Sequence, residues 1–399
     1  MKRFAWMLLV FCMAAPAAWS ASKKITAQEL KDMLTQMQQQ KKSDDDVAIA
    51  LKQVEMSEQL TAATLNSLNS LLPGQQSLAQ VYVLEARSAM LPPPASDIPT
   101  DPAPDAAAQK AILDKASDYM SKSYDALPDV TATKTTIRFQ DNMEQIAQAS
   151  GMHSGAQDAT TSFNLGATAQ FFRYINSTDS AVESSKGVEK FTMPKDKGPW
   201  GPNGMSLPEE PGQSLASIYS EAQAAGKISF LRWEMVNGKK TAVFSYSVEK
   251  KKTHYGVNYC CYPDTDQTGV ATFSSASIGS LNGGGGGGAK GNMQTNTSFK
   301  PWKSNVGYHG QLFINPDTGI IVRVIADADL KSSDVVHQED TRIDYDPVTM
   351  GSQTLVVPVK SFVNTEDVPK GEDSAGKFTL RHTLYYSEFK NYQLAGAAH

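Results

Sequence analysis

Leu127-Pro128-Asp129-Val130-Thr131-Ala132-Thr133-Lys134-Thr135-Thr136-Ile137-Arg138-Phe139 divides the chain into two kinds of sequence. Before Pro128, apolar residues recur at helical spacing. From Thr131 to Phe139 the residues are β-branched and alternate. A helix buries one stripe, and a half-buried strand buries every second side chain. The change of period therefore predicts an α+β protein: a small N-terminal helical bundle, then a curved, mainly antiparallel, half-barrel-like sheet with one or two packed helices.

Upstream, Thr26 with Glu29 forms a capping box ahead of Leu30, Met33, Leu34 and Met37. Ser43 before Asp44, Asp45 and Asp46 marks a second start, with acids where the helix dipole favours them. Leu60, Thr64, Leu65, Leu68 and Leu72 form a third stripe, stopped by Pro73-Gly74. Leu78, Val81, Tyr82, Glu85 and Ala89 form a fourth, stopped by Pro92. Short connections between four such segments predict an antiparallel bundle over 21–91. The linker 92–105 is rich in proline and should be extended. Asp105 then caps a connecting helix within 106–128, with Ile112, Ala116, Tyr119 and Met120 on one face.

Downstream, 129–395 reads as the β domain. Ala169 to Ile175 is a strand candidate, and Leu215, Ile218, Tyr219 and Ala222 mark a helix closed by Gly226. Asn237-Gly238 between alternating segments is a strong hairpin signal. Asn315-Pro316-Asp317-Thr318-Gly319 joins a second pair of strands. Leu355–Asn364 and Lys377–Tyr392 form a third pair. Two stretches differ from the rest. Lys195 to Gly212 surrounds Trp200 with proline and glycine, as a binding lid or as a loop pinned by its tryptophan. The insertion 274–298 contains Gly283 through Gly288, a flexible run with no phosphate-loop context.

The first 20 residues read as an export signal: Lys2 and Arg3, an apolar run from Phe4 to Ala15, and small residues at Ala18 and Ser20. The run falls short of the roughly 20 residues a membrane helix needs, and no later segment approaches that length. The expected location is periplasmic or extracellular, with no integral membrane span. Losing Lys2 and Arg3 takes the formal charge from −5 to −7. An acidic chain without a basic block argues against nucleic acid as a partner. A composition of 40% hydrophobic and 20% charged residues is that of a globular protein.

Chemistry is sparse. Cys260 and Cys261 are adjacent, so they form either a strained redox-sensing disulfide or two ordinary thiols; they are too few for a metal centre. The histidines show no i, i+4 pair, and Ser154 beside His153 lacks the nucleophile-elbow pattern. Asp264 to Gly269 has the first half of a calcium loop, but Ser275 stands where a bidentate acid is required. Asp327 and Asp329 share one side of a strand, as a cation pair or as a solvated strand end. No metal and no cofactor is expected. Phe171, Tyr174, Trp233, Phe244 and Tyr246 punctuate the strands and, with Trp200, are the candidate ligand-binding residues; the simpler alternative is that the strand aromatics form core under the connecting helix.

Phe230-Leu231-Arg232-Trp233-Glu234, Ala242 to Val248, Gly310 to Arg323, Ile343 to Val348 and Phe389-Lys390-Asn391-Tyr392 resemble a family of exported bacterial proteins of unknown function. The resemblance extends to the helical part ending Leu127-Pro128-Asp129 and carries over no catalytic residue. The β part, with its closing F-x-N-Y, is also similar in style to the lipoprotein-carrier half-barrel of the LolA type. The leading functional expectation is a non-enzymatic envelope protein that binds or carries an apolar or peptide-like ligand. The alternatives are an interaction scaffold for an envelope partner, or a hydrolase with an unrecognised site.

Overall fold

The computed structural model describes residues 23–124, 127–140, 172–185, 188–192, 215–263, 299–367 and 381–395. The export signal, Phe171, Trp200, the calcium-like loop and the Gly-rich insertion lie outside them. The helical part begins with β1 (Lys23–Ile25) and α1 (Ala27–Gln39), followed by α2 (Asp44–Lys52) and β2 (Val54–Met56). Then come α3 (Ala62–Leu68), α4 (Gln75–Ser88) and α5 (Ala106–Tyr119). Thr26 and Ser43 both make reciprocal capping boxes, with Glu29 and Asp46. Asp105 accepts from the Ala108 amide at the start of α5. The third stripe is a helix only to Leu68 and tightens into a 3₁₀ turn over Asn69–Leu71. Pairing of β1 with β2 in parallel was not expected; it closes a core built on Leu30, Leu34, Leu51, Leu68 and Val81.

After β3 (Val130–Gln140) come β4 (Arg173–Ser185) and β5 (Val188–Thr192). Next are α6 (Leu215–Ala225), β6 (Ile228–Val236) and β7 (Lys239–Val248). β8 (Gly256–Pro263) and β9 (Phe299–Asn305) form a separate two-stranded sheet. β10 (Tyr308–Ile314), β11 (Ile321–Ala328), β12 (Val336–Met350), β13 (Gln353–Asp367) and β14 (Arg381–Leu394) complete the chain. Among the described residues the main sheet has ten strands in the order β5-β4-β3-β14-β13-β12-β11-β10-β7-β6. All its pairs are antiparallel, and among the described residues β5 and β6 are its unjoined edges. The fold is α+β with a curved, unclosed, half-barrel-like sheet, as the change of period at Pro128 predicts.

The chain begins its sheet in the middle. From β3 the chain builds out to one edge through β4 and β5, then crosses to the opposite edge at β6 and returns inward through β7 and β10 to β13, so that β14, the last strand, lies beside β3. Asn237 and Gly238, at φ 50° and 74°, make the expected tight hairpin. β4 begins at Arg173, within the stretch from Ala169 to Ile175 whose first three residues lie outside the described ones, and runs through a polar stretch to Ser185.

Helices cover both faces. One face receives α5, α6 and the β8–β9 hairpin over Phe244, Tyr246, Tyr308, Leu312 and Val324. The other receives α4, whose Val83, Ala86 and Ala89 pack on Phe139, Phe362, Leu384 and Tyr386. Further along, Met90 packs on Val243, Phe313 and Ile325. No helix among the described residues is long and apolar enough to cross a membrane.

Candidate functional site

The α4-covered face carries a belt of ionisable side chains across its strands. In β12, Arg342 and Asp344 alternate with Ile343, so both charges point toward α4 while Ile343 joins the opposite core. Register sets Arg323 of β11 opposite Asp344, and Lys360 of β13 opposite Asp344 on its other side. Asp344 accepts from Arg323 Nε at 2.6 Å and from Arg342 Nε and Nη2 at 2.9 and 2.6 Å. Burial alone would raise the Asp344 carboxyl, but the two guanidiniums hold it well below the usual carboxylate range. Arg323 also lies 3.6 Å from Glu234, which Arg232 meets at 2.6 Å. Phe313 and Phe362 each present a ring face to a guanidinium, Arg323 and Arg342, at 5.2 Å.

This belt fastens the helical part to the sheet. Arg342 Nη1 donates to the Ala89 carbonyl at 3.0 Å and Asn364 Nδ2 to the Ala86 carbonyl at 3.3 Å. These are carbonyls at the C-terminal end of α4, where a cation also complements the helix dipole. Arg323 Nη1 donates to Gln59 Oε1 at 3.4 Å, and Lys360 Nζ to Glu85 Oε1 at 2.8 Å. Burial pushes the Glu85 carboxyl up, and Lys360 opposes the shift.

Where the belt passes beyond α4, a cleft of about 670 Å³ opens between helices and sheet. Gln59, Thr61 and Asn66 form one wall; Arg323, Asp344, Asp346 and Lys360 form the other, and the Asn237-Gly238 turn lies at its rim. Asp346 is partly buried, and Asn237 Nδ2 donates to it at 3.3 Å. Desolvation, then the nearby Asp344 charge, raises its carboxyl.

The aromatic candidates divide between the two faces. Phe244 and Tyr246 are 1% and 3% exposed and lie in the core under α5 and α6, with Trp233 packed at its edge. Phe230 joins Trp233 to Phe244 edge to face, and the Trp233 indole donates to the Pro102 carbonyl. Tyr174 is 56% exposed and stands beside Phe139 on the face that α4 covers. Cys260 and Cys261 lie in β8 at a bulge between Tyr259 and Tyr262. Asp327 and Asp329 both approach His309, at 3.8 and 2.9 Å. Burial, then Asp340 and Asp329, pushes the Asp327 carboxyl up to about 6. No group of three or more histidine, cysteine or acidic ligands is placed to hold a metal among the described residues.

A second buried polar region lies across β12, β13, β14 and β3 on the core face. Glu339, Thr341, Thr365, Thr383, Thr136 and Gln140 are all buried there. Thr136 and Ser387 hydroxyls meet at 2.9 Å, and Tyr255 Oη donates to Glu339 Oε1 at 3.2 Å. Burial pushes the Glu339 carboxyl up to about 8.

The sequence reading named none of Gln59, Arg323, Arg342, Asp344 or Lys360 as a site residue. The available signal was the period-two placement of charges, Arg342-x-Asp344-x-Asp346 and Arg232-x-Glu234.

No protein-family model matches the chain, and no curated protein matches it. A solved structure from Vibrio parahaemolyticus, of a domain assigned as an outer membrane lipoprotein-sorting protein, is similar with a TM-score of 0.31 and 9% identity. It covers 73% of this chain and 95% of that one.

Proposed function

We propose that the protein is a non-enzymatic binding module of the cell envelope whose helical part and sheet form the two walls of a site for a peptide-like ligand. The cleft of about 670 Å³ carries this reading, because its size is that of a ligand site and both walls supply polar groups. Among the described residues the sheet itself offers less room to an apolar ligand. The hollow lined by Val130, Val182, Leu355 and Tyr392 holds only about 20 Å³, room for roughly one water molecule. The cleft's buried charges are tied to one another, Asp344 by two arginines and Glu85 by Lys360. Such fixed groups suit recognition better than proton transfer. Export to the envelope is part of the proposal and rests on the N-terminal signal pattern.

Photocrosslinking tests it. The photoreactive residue p-benzoylphenylalanine replaces Thr61 on the cleft wall, or Ile49, exposed and outside the cleft, as control. Irradiation in an envelope extract of the native host should give adducts at position 61 that digest to peptides. Lipid adducts, no adducts, or equal adducts at both positions would overturn the proposal.

A further inference from the structure

We propose that the cleft selects a cationic segment, docking a lysine or arginine side chain or an amino terminus against Asp346 and Asp97. The inference rests on the cleft being a ligand site and names the charge of what it takes. The cleft is lined by the acids Glu85, Asp97, Asp344 and Asp346 and by the bases Arg323, Arg342 and Lys360.

Every one of those bases is already engaged. Arg323 and Arg342 share Asp344, and Lys360 holds Glu85. Two carboxylates are left over. Among the described residues Asp346 receives only the Asn237 amide, and Asp97, on the turn Ala95–Asp97, only the Ser96 hydroxyl at 3.3 Å. Neither forms an ion pair with a described cation. Asp344 adds its own negative potential at Asp346. Lys239 and Arg323 act against that potential more weakly. An incoming cation would relieve the remaining repulsion and replace the water that partial burial removes, whereas an anion would meet both carboxylates with every base of the cleft lining already paired. Of the charges that line the cleft, Asp346 and Asp97 are thus the two not committed to an ion pair among the described residues.

The test uses fluorescein-labelled nonapeptides of alternating lysine and alanine, with glutamine or glutamate replacing lysine in two others. Fluorescence anisotropy with the full chain reads affinity. The lysine peptide should bind about ten-fold tighter than the glutamine peptide, and the glutamate peptide weakest. Asp346→Asn and Asp97→Asn should each weaken the lysine peptide about five-fold and leave the glutamine peptide unchanged. Asp114→Asn, exposed on α5 and absent from the cleft lining, controls for net charge and should change neither. Equal binding of lysine and glutamine peptides overturns the inference while leaving the binding module standing. So does an equal loss for both peptides, or a loss in Asp114→Asn matching the others. Failure of all three peptides, together with failed crosslinking at position 61, overturns the binding module itself.

Discussion

Replacing Glu339 by glutamine should remove a pH dependence of stability that the fold builds in. Glu339 is 2% exposed, and its carboxyl is pushed up to about 8 by burial. In the unfolded chain the group titrates near 4.3. Between these values the folded protein holds a proton that the unfolded chain has released, so stability falls as pH rises through the window. It is fully present below about pH 4 and levels off above about pH 8. At about 1.4 kcal/mol per pH unit, the ceiling over the window is about 5 kcal/mol. Glutamine matches the neutral acid in shape and keeps an oxygen to accept from Tyr255 Oη. The variant should therefore nearly equal the wild type below about pH 4, exceed its stability by about 1 kcal/mol at pH 5, and exceed it by several kcal/mol at pH 8. Urea unfolding of both proteins across that range measures the difference, and subtraction cancels other groups such as Asp327. A difference that does not change with pH would refute the reasoning.

Three further perturbations follow from the packing. Asp344→Asn leaves two buried guanidiniums without their carboxylate and should cost about 3–5 kcal/mol at neutral pH. Because the folded carboxyl is held low, that loss should shrink as pH falls below about 4, which urea midpoints at pH 7 and 3 would show. Gly310→Ala drives a Cβ into the Ile325 carbonyl, which also accepts from Tyr246 Oη at 2.8 Å, and should lower stability by about 3 kcal/mol in thermal melts. Asp44→Ala should cost about 1–2 kcal/mol by the same measurement. Its carboxylate accepts from the Gln76 and Ser77 amides, both at 2.9 Å, and so caps α4 in place of Gly74, which has no side chain to do so.

The charged belt was hard to read because its strand looks unlike one. β12 runs over Val336–Met350 and contains Glu339, Asp340, Asp344, Asp346 and Pro347, residue types that strands ordinarily avoid. Its acids persist because Asp344 meets Arg342 of the same strand and Arg323 of β11, and because Tyr255, from outside the strand, meets Glu339. The described aromatic candidates divide between two faces for a related reason. Alternation reports that a strand has two faces without saying which face each neighbour contributes, so Tyr174 stands opposite Phe244 and Tyr246.

The sequence by itself determined the helix starts at Thr26, Ser43 and Asp105 and the turn at Asn237-Gly238. Each depends on hydrogen bonds or dihedral preferences spanning a few residues, which any copy of that local sequence would satisfy. Tertiary structure decided that β3 lies beside β14, that α4 covers one face and α5 with α6 the other, and that Lys360 reaches Glu85. Those partners are far apart along the chain, and their pairing comes from competition among all faces for burial and charge balance, which no short window of sequence encodes.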